Sequence, residues 1–371
     1  ALSKLVNSLS QDPVVTPPVV LDDPATYGTI LRIDIRDYRW DAQLWEDIAS
    51  ANPFSVKYAG AVAEDLIDAA GTSTPFQSAD SFLQTASRGD LYYKILGTPG
   101  TVEGLEILLG IDPTDFATGE LLRTGFQQSG VSNFNRAFDR QEIPFGGAYY
   151  RSFDFDNESG FSNIFEHPLD FIAGGGEIIY NLPNGLQAYM LADSAGKRIN
   201  VADTGIVTDP NQSDYKVKNG ISCITCHASG ILPKDDEILD FVFDPGSEFS
   251  QSERDGVKDV YGSNDERRKI QAYDAGVFQT ALAQTGVSIT DPEPIIRVSL
   301  DFEAPLGLRR AAAELDLTED DLRDNIVAFK GLGKLRDGGT VTRAVFEATF
   351  ADNVCKLVPG VDASPACDIP G

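Results

Sequence analysis

Cys223, Cys226 and His227 stand in the order C-x-x-C-H within the stretch NGISCITCHASG, residues 219–230. Two thiols spaced by two residues on one helical turn reach neighbouring points of a large ligand. An imidazole immediately after them is then held against that ligand's face. This is the chemistry of a c-type haem: each thiol adds across one porphyrin vinyl group, and the histidine becomes the proximal iron ligand. Ser222 is the expected N-cap of the short helix, and Gly230 followed by Pro233 its expected stop. Two competing readings of the cysteines are weaker. A thioredoxin-like C-x-x-C belongs to a βαβ unit, whereas the Asn-Gly before this motif and the Gly and Pro after it signal loops. A zinc site would recruit Cys355 and Cys367, whose eleven-residue gap is not zinc-knuckle spacing. No second C-x-x-C-H occurs, so the expected cofactor is one haem c per chain.

The other face of the iron decides between electron transfer and ligand chemistry. Beyond His227 the chain holds one more histidine, His167, and a single methionine, Met190. His167, in NIFEHPLDF, is the first candidate for the distal ligand. Met190, on the apolar side of an expected strand, is the alternative. The plainer reading of His167 is a hydrogen-bonded turn residue, and that of Met190 is core packing. A third outcome is a site that is open or filled by water, tyrosine or lysine. No methionine follows the motif, which separates the chain from the simplest small cytochromes. Lys197, Arg198, Lys216 and Lys218 are nearby cations that could pair the haem propionates.

The elements around these residues predict an α+β fold, predominantly helical, with a small antiparallel β-meander adjoining the haem site. Ile30 to Tyr38 alternates as a strand does. Asp41 should cap a helix carrying Leu44, Trp45 and Ile48 on one face. Further amphipathic stretches cover 60–70, 78–86, 91–96 and 102–109, and 116–142 reads as helical up to the Gly146-Gly147 break. The meander is GEIIYNL, LQAYMLAD and RINVA, joined by turns at 183–185 and 194–197. Residues 234–284 read as helical, and Thr318 should cap a helix with three acids in its first turn. The division expected along the chain is a Pro-rich arm or linker over 1–24, a mainly helical lobe over 25–148 and a haem c lobe over 149–371. Asp154, Asp156 and Glu158 alternate in the manner of calcium ligands, but the glycine and distant glutamate of an EF-hand are out of place, so a solvated turn is the default.

The formal charge is −27, from 57 acidic and 30 basic residues. That excludes nucleic acid as a partner, since phosphates demand a basic surface. It suits a soluble acidic surface, or a basic redox partner. No apolar run approaches a membrane helix. The Pro-rich arm could serve as a tether to a lipid anchor or another domain. Cys355 and Cys367 flank a Pro-containing loop and read as a disulfide, worth about 3 kcal/mol on the chain-entropy model. A disulfide and a haem c together place the chain in the periplasm, at the outer membrane or outside the cell.

Several long stretches resemble a family of large secreted bacterial proteins, common in planctomycetes and other marine bacteria, described only as cytochrome c domain-containing. They are LRIDIRDYRW, LQTASRGDLYYKILG, GFQQSGVSNFNR, NIFEHPLDF, GGGEIIYNLPNGLQAYML and NGISCITCH, spanning roughly 30 to 230, with LRRAAAELDL extending the likeness. The resemblance implies a haem c protein of undefined role. The family pattern often places a histidine where this chain has Tyr93, and another where it has Gly174 or Gly175. The leading expectation is an electron-transfer protein. The alternatives are a haem peroxidase or small-ligand sensor with an open sixth site, and a docking module of a larger cell-surface redox assembly.

Overall fold

The computed structural model describes residues 1–22, 30–54, 61–113, 122–132, 134–212 and 214–357. The chain forms two compact units, each assembled from separated segments. One comprises Ala1–Arg39 and Ser87–Ile295, the other Trp40–Ala86 and Ile296–Gly371. This division is not the one expected from chain order. The boundary at 148/149 falls at the head of a strand in one continuous sheet, because strands pair across sequence.

The fold is α+β. The helices are α1 (Leu2–Ser8), α2 (Ala42–Ser50), α3 (Ala61–Ala70), α4 (Ala79–Ala86), α5 (Gly89–Leu96), α6 (Val102–Leu109) and α7 (Ile221–Cys226). They continue as α8 (Ile238–Val242), α9 (Gln251–Val260), α10 (Asn264–Gln284), α11 (Pro294–Glu303), α12 (Leu308–Glu314), α13 (Glu319–Asp324) and α14 (Arg343–Leu357). The expected caps form: Asp41 accepts from the Leu44 N–H, and Thr318 from the Asp321 N–H, with Glu319, Asp320 and Asp321 complementing the helix dipole.

The strands are β1 (Val19–Val20) and β2 (Leu31–Arg32), paired with each other, then β3 (Leu122–Phe126), β4 (Arg136–Glu142), β5 (Ala148–Asp154), β6 (Gly175–Asn181), β7 (Gln187–Asp193) and β8 (Arg198–Ile199). The last six form one antiparallel sheet in chain order. The expected meander is its second half. Two expectations need correction. Residues 136–142 are a strand, as are 122–126, where a helix was expected over 116–142. Only Leu31–Arg32 of the stretch 30–38 is a strand, and Ile35–Tyr38 is a 3-10 turn with Asp34 as its cap. The RAFDRQE of β4 alternates half-buried Arg136, Phe138 and Arg140 with buried Ala137, Asp139 and Gln141, so it lacks the apolar alternation of a surface strand.

The sheet's free edge is closed by tyrosines. Because β8 is only two residues long, part of β7 has no strand partner. The hydroxyls of Tyr92 and Tyr93, on α5, accept from the Tyr189 and Leu191 N–H groups. A buried N–H left unpaired would cost as much as a lost hydrogen bond. Tyr93, at a position where the resembling family often has histidine, is thus an edge-strand partner here.

The start of the Pro-rich arm, helix α1 and Leu9, is packed onto the first unit, while Val14, Val19, Val20 and Leu21 further along are exposed. Leu5, Val6 and Leu9 are fully buried, Lys4 pairs with Glu293, and Asn184 donates to the Asn7 carbonyl. The second unit has its own core, in which Leu306, Leu322, Leu332 and Phe346 are fully buried, and Arg343 lies over the Phe302 ring at 4.1 Å. Cys355 is half-buried on α14. Its expected partner Cys367 lies outside the described residues. The disulfide should appear as one linked peptide in non-reducing mapping; two alkylatable thiols would remove it. Among the described residues, no helix is long and apolar enough to cross a membrane.

Candidate haem site

The sheet presents two faces, and strand alternation decides which residues meet the motif. The register pairs Phe126 with Arg136, Arg136 with Asp154, Phe138 with Ser152, and Glu177 with Leu191. Side chains on this face, together with α7, enclose a cavity of about 140 Å³. Cys223, Cys226 and His227 line it, with Arg136, Asp154 and Glu177 opposite them and Ile179, Leu191, Val207, Val217 and Ile231 supplying apolar surface.

The helix α7 begins two residues earlier than expected. Gly220, not Ser222, is its N-cap, and Ser222 lies inside the helix, its hydroxyl accepting from the Lys218 N–H. Gly220 is required there twice over: its φ is +81°, and a Cβ would sit 2.2 Å from the Ser87 carbonyl oxygen. The helix ends at His227. The Nδ1 of His227 lies 3.2 Å from the Gly230 carbonyl, which only accepts, so the Nδ1–H tautomer makes this bond. Nε2 is thereby turned toward Glu177, whose Oε2 is 3.7 Å away.

The groups present fit a haem c. Both cysteines carry free thiols on one face of α7. The backbone carbonyl at Nδ1 fixes the ring and leaves Nε2 as the nitrogen that would bind a metal, the way metal-bound imidazoles are commonly oriented. Burial, then the Glu177 charge, pushes the Cys223 thiol well above its ordinary value. Burial, then Asp209 and Glu177, pushes Cys226 up to about 11. Both are therefore thiols and not thiolates in the haem-free chain. Burial would raise the Glu177 carboxyl, but hydrogen bonding to His227, their mutual charge and Arg136 bring it down to about 2. Asp209 lines the same cavity at 1% exposure with its Oδ2 lacking any protein partner, so the site has polar capacity left for a ligand.

Neither expected distal ligand is in this cavity. Met190 pairs with Ile178 in the register and, by alternation from Leu191, projects from the opposite face, where it is fully buried. Its packing role prevails. His167 lies in a loop, stacked on Phe161 with ring centroids 4.0 Å apart and with Nδ1 3.3 Å from Asp170 Oδ1. Among tyrosines and lysines, Tyr150 and Lys234 do line the cavity, but the Tyr150 hydroxyl is bonded to Asp274 and the Lys234 ammonium to the Gln128 carbonyl. The cations facing the site are Arg136 and Lys234, not the expected Lys197, Arg198, Lys216 and Lys218. Arg198 is held by the Thr98 and Pro99 carbonyls and the Tyr93 ring, and Lys218 by Gln212 and Asp214.

The competing metal readings gain nothing. The sheet is antiparallel throughout, so no βαβ unit surrounds the cysteines. Among the described residues, no three His, Cys, Asp or Glu side chains gather as a metal-ion site. Asp154, in the stretch considered for calcium, is buried and paired with Arg136. Arg136, Asp154, Glu177 and Asp209 were not legible from sequence as site residues. The available signal was a strand carrying Arg and Glu at alternate positions where one face should have been apolar. No family model, curated protein or solved structure matches the chain.

Proposed function

We propose that this chain is an extracytoplasmic mono-haem c protein in which Cys223, Cys226 and His227 would hold the haem, with peroxide as substrate. One observation carries the reading: the cavity holding Cys223, Cys226 and His227 contains neither His167 nor Met190. The haem would be held by thioethers from Cys223 and Cys226 and by His227 Nε2, and would supply one-electron redox chemistry with a free coordination position. The Gly230 carbonyl orients the imidazole. Ile179, Leu191, Val207 and Val217 exclude water, and Arg136, whose Nε and Nη2 are held by Asp154 and Ser152, would orient a peroxide oxygen through its remaining N–H groups. A cavity serving only a diatomic gas would not need that charged wall, which favours peroxide over sensing.

Electrons would come from a redox partner, and the charge of −27 favours a basic one. The resemblance to secreted cytochrome c domain-containing proteins and the Cys355–Cys367 disulfide belong to the same reading, since both suit an oxidising compartment.

The purified ferric protein is expected to be high-spin, and its reduced form to bind carbon monoxide as fast as it is mixed. His167→Ala and Met190→Leu should leave the optical spectrum unchanged. A low-spin spectrum that turns high-spin in either variant would restore electron transfer with a protein ligand on both faces.

A further inference from the structure

Among the described residues, the wall of the cavity carries one tyrosine, Tyr150 of β5. Its side chain is 5% exposed, and its hydroxyl donates to Asp274 Oδ2, on α10, at 2.5 Å. Asp274 is 2% exposed and is also held by Arg140, whose Nε donates to the same Oδ2 at 3.1 Å and whose Nη2 donates to Oδ1 at 3.0 Å. A buried phenol is hard to oxidise alone, because loss of an electron leaves a strongly acidic cation radical in a medium of low dielectric. A carboxylate already hydrogen-bonded to the hydroxyl removes that obstacle by taking the proton as the electron leaves. Arg140 holds the carboxylate in place.

We propose that Tyr150 is a redox-active tyrosine of the haem cavity, with Asp274 as its proton acceptor. The inference rests on the peroxide reading above. Hydrogen peroxide takes up two electrons and two protons to give two waters. One electron comes from the haem and one from Tyr150, and the two protons come from solvent. In Tyr150 the O–H bond breaks: its electron goes to the haem site and its proton to Asp274, which becomes a carboxylic acid. Two equivalents of an external one-electron donor then restore the haem and Tyr150, and Asp274 returns the proton to the phenol.

The sheet supplies an internal control. Tyr149, the preceding residue on β5, also donates to a buried carboxylate, Glu106 Oε1 at 2.8 Å, but it points to the opposite face and does not line the cavity. The test is freeze-quench electron paramagnetic resonance after mixing the ferric holoprotein with hydrogen peroxide, with ring-deuterated tyrosine to identify a tyrosyl signal. Wild type and Tyr149→Phe should both give the signal, narrowed on deuteration. Tyr150→Phe, which keeps the ring packed, should lose it. Retention of the full signal in Tyr150→Phe would overturn the assignment. So would a wild type whose optical spectrum responds to peroxide without any tyrosyl signal. A wild-type spectrum that peroxide leaves unchanged would overturn the peroxide reading itself, and this inference with it.

Discussion

Denatured and extracted with acidified acetone, the protein is expected to keep its colour on the polypeptide, with a mass exceeding the chain by one haem. Acid breaks the bond between iron and imidazole but not a carbon–sulfur bond, so only thioether attachment survives the extraction. Cys223→Ser with Cys226→Ser should abolish covalent haem altogether. The loss should be one of attachment and not of folding. Cys223 is buried beside Glu177, and a serine hydroxyl can keep a hydrogen bond to that carboxylate. Circular dichroism of the double variant should therefore match the haem-free wild type. A chain that is colourless as isolated, or that carries zinc in place of haem, would remove the cofactor assignment and everything built on it.

Arg267→Met should be among the most destabilising single changes in the first unit, at about 3–5 kcal/mol, the usual cost of breaking a buried charged network from one side. Arg267 is fully buried on α10. Its guanidinium donates to the Thr124 hydroxyl, the Asn264 side-chain oxygen, and the Arg123 and Gly262 carbonyls. These bonds tie α10 to β3, the outermost strand of the sheet that forms the cavity wall. Methionine fills much of the volume and satisfies none of the four acceptors, each then facing its own desolvation cost. The neighbouring residue isolates the cause. Arg268 pairs with Asp235 in solvent, both about half exposed, and Arg268→Met should leave stability nearly unchanged. Urea unfolding of the three proteins would measure this, and equal midpoints for Arg267→Met and wild type would refute it.

Interactions confined to a few neighbouring residues are legible in the chain itself. The caps at Asp41 and Thr318 form as expected, because a cap needs only one side chain and an N–H three residues on. Strands β6 and β7 form as expected because a Pro-Asn-Gly turn and neighbouring apolar runs specify a hairpin locally. The N-cap of α7 departs from that pattern: local residue preference favours Ser222, and Gly220 takes the position. It does so because the Ser87 carbonyl, far away in sequence, leaves no room for a side chain.

What the sequence determined by itself is the arrangement of three groups: two thiols and an imidazole at C-x-x-C-H spacing, on one short helix, in a strongly acidic chain. That follows from local geometry, since a single helical turn fixes the spacing of all three groups. The tertiary structure alone decided what faces them. Leu191 turns to the cavity and Met190 away from it because pairing with β6 sets the face of every residue on β7. Arg136, Tyr150, Asp154 and Glu177 lie on three strands spread over some forty residues, and only the register of β4, β5 and β6 brings them to one wall. His167 has a suitable ring in the wrong place, because its loop packs against Phe161 and not against α7.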